Sequence, residues 1–191
     1  MLLDVNEIVK QLDEQFLPLE PMLRGFRLTS TAIREEELAR VSQELQVVIP
    51  DHFLSMLRQY DFGYFTLGPI AFCNSGDYLR WIVENNCKSA SNQYPWWDSG
   101  PRPIDRLLIA NSDPYAILLN TSTGAVSAFI HGESFDHGEE IVAHDFVKFF
   151  RGIGTVFLQR NVNDDNSCLA DNVSHSVGGK EKSRVWQWLA E

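Results

Sequence analysis

The stretch Arg106–His131, "RLLIANSDPYAILLNTSTGAVSAFIH", decides how this chain is read. It holds three apolar runs in succession, RLLIANS, YAILLN and AVSAFIH, each the length of a strand and each bounded by turn residues. The last two are joined by Thr121–Gly124, "TSTG", a good hairpin connection. Strands that follow one another through short turns pair antiparallel, because a parallel pair needs a long crossover. The residues of Val126–His131 alternate only loosely in size and polarity, which leaves their facing open.

Helical periodicity surrounds this centre. Val5, Ile8, Val9, Leu12 and Phe16 recur at helical spacing, until Pro18 and Pro21 break the pattern. Gly25–Ala32 predicts a short strand followed by Ser and Thr residues suited to capping. The run "REEELARVSQELQ" opens on Glu35, Glu36 and Glu37, acids that favour a helix N-terminus, and carries a stripe of Leu38, Val41 and Leu45. Pro50 ends that element at Ile49 and suits the first turn of the next helix, which turns Phe53, Leu54 and Leu57 inward. "YFTLGPIAF" reads as strand, turn and strand about Gly68-Pro69, and "SGDYLRWIVENN" as a helix from near Ser75. "IVAHDFVKFFRGIGTVFLQR" predicts a brief strand and a helix with Phe146, Phe149, Phe150 and Ile153 on one side. From Asn161 the composition turns polar, which suits a loose or locally folded extension. The closing "RVWQWLAE" is apolar enough to dock back on the domain.

The chain has 191 residues, of which 44% are hydrophobic and 22% charged, enough for a proper core without a metal or disulfide staple. Three cysteines, Cys73, Cys87 and Cys168, make no disulfide framework. No apolar run reaches the roughly 20 residues that span a bilayer. The N-terminus has no basic region of the secretory kind, so a reduced, cytoplasmic chain is expected. Asp and Glu number 26 against 16 Lys and Arg, a net charge of −10. That balance repels nucleic acid and anionic membrane and suits a basic protein partner.

Candidate chemistry is sparse. His131, Glu133, Asp136, His137, Glu139, Glu140, His144 and Asp145 crowd one segment, yet their spacing matches no zinc motif. A solvated acidic loop is the expected reading, and no metal or other cofactor is expected. Cys73 precedes a predicted helix, where a thiol can be acidified, but a buried core cysteine is the commoner role. No G-x-S-x-G elbow or phosphate loop is present. A small metal-dependent or Cys-based hydrolase using His131, His137, nearby acids or Cys73 is the rival reading, and a housekeeping adaptor without a toxin partner is a third.

The loop "NQYPWWDSGPRP", residues 92–103, sets two indoles in turn chemistry. Tyr94, Trp96, Trp97 and Asp98 would make an aromatic and acidic surface on which a partner's arginine could stack. Neighbours in an extended segment face opposite ways, so one indole is expected in the core and one outside.

Residues Leu38–Gly63 resemble the signature of the SUKH superfamily, the Smi/Knr-like type. The matching positions are Leu38, Val41, Leu45, Ile49-Pro50, Phe53 and Leu57, then the turn Asp61-Phe62-Gly63. Ser42 stands where the family often has Glu, Gln46 replaces its usual Gly, and Phe62 interrupts its Gly pair. The later strands and the Phe-rich helix look like the rest of the family pattern, so the likeness spans about Arg34 to Gly154. It implies a non-enzymatic protein-binding module, an immunity protein that neutralises a cognate toxin, often a nuclease. A nuclease must hold nucleic acid and so tends to be basic, which suits an acidic inhibitor.

The expectation is therefore an α+β domain, a mostly antiparallel sheet flanked by helices. Residues 1–160 form the SUKH-like domain with its N-terminal helix, and 161–191 a polar C-terminal extension. The partner-binding candidates are Tyr94, Trp96, Trp97, Asp98, Glu133, Asp136, Glu139 and Glu140, from two connections on a regular scaffold.

Overall fold

The computed structural model of the chain describes residues 1–87, 95–97, 101–133, 138–160, 162 and 165–191. Helix α1 (Val5–Phe16) leads through a 3-10 turn (Leu17–Leu19) and a loop to β1 (Thr29–Ser30), and helices α2 (Glu35–Leu45) and α3 (Asp51–Leu57) follow. Then come β2 (Tyr60–Asp61), the hairpin of β3 (Thr66–Leu67) and β4 (Ile70–Ala71), and α4 (Tyr78–Asn86). Strands β5 (Arg106–Asn111), β6 (Tyr115–Asn120), β7 (Val126–Ile130) and β8 (Glu140–Ala143) precede three helices. These are α5 (Phe146–Gln159), α6 (Asn166–Val177) and α7 (Arg184–Ala190). Strands β3 to β8 form one sheet in chain order with every neighbour antiparallel, while β1 and β2 pair apart from it. The α+β class read from the strand runs is the class of the fold.

Local chemistry explains the boundaries. Asp4 accepts the Glu7 N–H at 2.8 Å and Glu7 accepts the Asp4 N–H at 2.8 Å, a reciprocal cap that starts α1. Helix α2 stops at Gln46, whose φ of 55° is left-handed. The position where the SUKH-like pattern carries Gly thus has glycine-type backbone here, held by a glutamine. Helix α4 begins at Tyr78 rather than near Ser75, because Gly76 is left-handed and Asp77 caps the Arg80 N–H. In the β6–β7 hairpin, the Asn120 side chain accepts the Ser122 and Thr123 N–H groups.

The main core lies on one face of the sheet. Leu107, Ile109, Ile117, Leu119, Val126 and Ala128 bury there against residues from α1, α3, α5, α6 and α7. Phe62 is fully buried, and its ring centroid lies 5.0–6.3 Å from those of Phe65, Phe72, Tyr78, Phe146 and Phe150, an aromatic hub.

Both flanks belong to that core. Leu3 N–H donates to Thr155 Oγ1, Arg151 Nε donates to the Leu3 carbonyl, and Ile8 fits against Gly154. The polar tail forms α6 and α7, and Val173, Val177, Trp186 and Leu189 pack into the same cluster as α5. Trp186 is 0% exposed, so the docking expected of the closing residues holds, and no break in the core marks residue 160. Gly152 makes room for it: a Cβ there would lie 2.4 Å from Trp186 Cη2.

Candidate functional site

With the helices on the inner face, the outer face of β5–β7 presents Leu108, Ala116, Leu118 and Phe129. Trp96 and Trp97 cover it, with Trp81 of α4 packed alongside. They are 9% and 5% exposed, and their rings meet edge to face at 5.4 Å. Trp96 lies 6.2 Å from Phe129 and donates through Nε1 to Asn86 Oδ1 at 3.2 Å. The expectation of one indole in and one out is corrected: both are in. The alternation argument assumes an extended segment, and residues 96–97 form a turn, which lets neighbouring side chains share one side. Tyr94, Asp98 and Asp136, along with His137 of the rival reading, lie outside the described residues.

Glu139 sits on the same outer face, beyond the aromatic cover. Arg106 Nε donates to its Oε1 at 2.7 Å and Arg106 Nη2 to its Oε2 at 3.2 Å. Ser127 Oγ, two residues before Phe129 on the same side of β7, donates to Oε1 as well. Arg106 also reaches Asp105 Oδ2 at 2.6 Å. Burial works against the Arg106 charge, but Glu139 and Asp105 outweigh it and hold the guanidinium above its ordinary value. Trp96, Trp97 and Glu139 therefore share one face, aromatic at one part and ionic at the next.

The neighbouring acids separate instead. Glu140 pairs with Ala128, an inner-face residue, and its carboxylate lies 4.0 Å from Arg184 Nε at the start of α7. Ile141 pairs with Ser127, returns to the outer side and is 55% exposed. Glu133 is exposed at the end of the β7 connection.

Arg102 fixes the described end of the Trp loop. It donates to the Leu45 carbonyl at 2.9 Å and the Arg106 carbonyl at 2.6 Å, placing a cation at the C-terminus of α2. Its burial pulls its pKa below the ordinary value. The backbones of the two edge strands, β3 and β8, also find partners beyond the sheet. Thr66 N–H donates to the Gly25 carbonyl, and Trp186 Nε1 donates to the Val142 carbonyl at 3.0 Å.

Of the residues in the rival hydrolase reading, His131 is exposed at the end of β7, where its ring lies 6.1 Å from that of Phe129. Cys73 is buried, its Sγ 3.2 Å from Ser75 Oγ and 3.4 Å from the Ser75 N–H. Among the described residues no group of three or more His, Cys, Asp and Glu side chains could hold a metal ion. No helix among them is long and apolar enough to cross a membrane. Asn86, Arg106 and Ser127 are the site residues that sequence reasoning missed. Ser127 is signalled only as a polar residue inside an apolar strand and Arg106 only as an arginine opening one, while Asn86, the last residue of α4, carries no such signal. Comparison with protein-family models, curated proteins and solved structures finds no match.

Proposed function

We propose that this chain is a non-enzymatic protein-binding module of the SUKH immunity type, which binds and neutralises a basic, nuclease-type toxin in the cytoplasm. The acid excess carries the reading: 26 acids against 16 bases. Arg27, Arg34, Arg58, Arg80 and Arg106 are already paired with acids of the same chain, which leaves them little free charge to repel a cation. A field of that sign speeds encounter with a basic surface. The left-handed Gln46 and the buried Leu38, Val41, Leu45, Ile49, Phe53 and Leu57 fit the resemblance that brings in the immunity role.

In this reading the contact includes exposed Glu133 and half-buried Asp105, which also pairs with Arg106. Trp96 and Trp97 cover the neighbouring part of the outer face. The test is to mix the purified protein with the effector encoded beside it and measure affinity against salt. Affinity should fall steadily as salt rises, and Glu133→Lys should weaken it further. Absence of binding, or binding indifferent to salt, would overturn the proposal.

A further inference from the structure

A second surface has the opposite sign. A groove of about 850 Å³ runs from Thr123 and Ala125, past Ile141 and His144, to the connection between α6 and α7. Of its acids, Glu139 holds Arg106 and Ser127, while Glu140, with its side chain 11% exposed, meets Arg184 at 4.0 Å and keeps a buried Oε1 that has no hydrogen-bond partner among the described residues. Lys180 and Lys182 are exposed and lie in no ion pair among the described residues. Glu181 between them lines the neighbouring cavity with Asp171 and His175, a cavity that Lys182 also borders.

The connection that carries these lysines is pinned. A Cβ on Gly179 would come 2.8 Å from the Val142 carbonyl, and one on Gly178 would run into the His144 ring. The Ser174 hydroxyl donates to the Lys180 carbonyl at 2.7 Å, and the Ser183 hydroxyl accepts the Trp186 N–H. Lys182 has a left-handed φ of 53°, a conformation that non-glycine residues seldom adopt. Two unpaired ammonium groups are thus presented from a rigid support, which lowers the ordering cost of binding.

We propose that this groove docks an acidic, extended segment of a partner protein, carboxylates on Lys180 and Lys182 and an apolar side chain on Ile141. The Val142 carbonyl is already taken by Trp186, so recognition there runs through side chains rather than an added strand. The inference stands independently of the basic-effector reading, because it uses the opposite charge on another surface.

Amide NMR on the isotope-labelled full chain tests it, with a synthetic peptide of alternating Glu and Leu and a counterpart carrying Lys for Glu. The Glu peptide should give saturable shifts centred on Ile141, Lys180 and Lys182, and the Lys peptide none. Lys180→Glu with Lys182→Glu should weaken binding by about tenfold or more. Lys180→Ala with Lys182→Ala should also weaken it with Tm unchanged, which separates charge from folding. Absence of saturable shifts, equal binding of the Lys peptide, or indifference to both variants would overturn the proposal. Equal affinity for a single-stranded oligonucleotide would overturn the assignment of a protein partner.

Discussion

The side chain of Asn86 pairs with the backbone of Leu108 as a strand would. Its Oδ1 accepts the Leu108 N–H at 2.7 Å and its Nδ2 donates to the Leu108 carbonyl at 2.9 Å. Strand β4 meets β5 only at Ala71 and Asn111, so the earlier part of β5 has no neighbour on that side. Helix α4 supplies one: Tyr78 Oη donates to the Ile109 carbonyl at 2.6 Å, and Asn86 serves Leu108. Asn86 Oδ1 also receives the Trp96 indole, which ties the Trp cover to the same clamp.

Asn86→Ala removes the partners of two buried backbone groups and of an indole. Each stranded group costs about 1–3 kcal/mol. Urea unfolding should show that loss, with Trp emission shifted to the red as Trp96 loosens. A midpoint unchanged from the wild type would show that the clamp contributes nothing to stability.

Trp97→Ala opens the outer-face cluster. A large aromatic removed from a buried site costs about 3–5 kcal/mol. The expected result is a marked fall in Tm, with Trp96→Ala behaving alike. An unchanged Tm together with lost effector binding would return Trp97 to the role of a contact residue.

Gly152→Ala puts a methyl group into the ring of Trp186 and should destabilise by about 1–3 kcal/mol. Combined with Trp186→Phe, it should cost less than the two single changes added together, because the smaller ring leaves room. Strict additivity in thermal or urea unfolding would mean that the two residues do not meet.

His52 links pH to stability. Its Nδ1 accepts the Phe146 N–H at 3.3 Å, a bond the protonated ring cannot accept. Burial lowers its pKa, and the opposing pull of Asp145 and Asp51 does not restore it. The folded value lies below the unfolded one of about 6.5. The His52 contribution is therefore complete above that pH and lost as pH falls through the folded value. Tm should drop over that acid window and drop less in His52→Ala. Equal slopes in the two proteins would remove His52 from the linkage.

Much of the architecture was legible because it depends on local periodicity. The strand runs, the hairpin at Thr121–Gly124, the stripe of Leu38, Val41 and Leu45, and the Phe-rich α5 all announce themselves at short range. Helix α6 escaped because its polar composition hid a sparse stripe of Ala170, Val173 and Val177 between the Asp165 cap and Gly178. The candidate site was legible as two segments, the Trp loop and the acidic stretch, but its inner order was not.

The sequence by itself determined most element types from α1 to α5, the antiparallel character of the central strands and the acid excess. Tertiary structure alone decided that both indoles go in and that Glu139 and Glu140 part company. It also decided that Gln46 takes a glycine's backbone and that the polar tail carries Trp186 into the core. The physical reason is reach. Periodicity and turn chemistry act over a few residues, whereas the uncovered outer face, the unpaired edge of β5 and the gap above Gly152 exist only once distant segments have met.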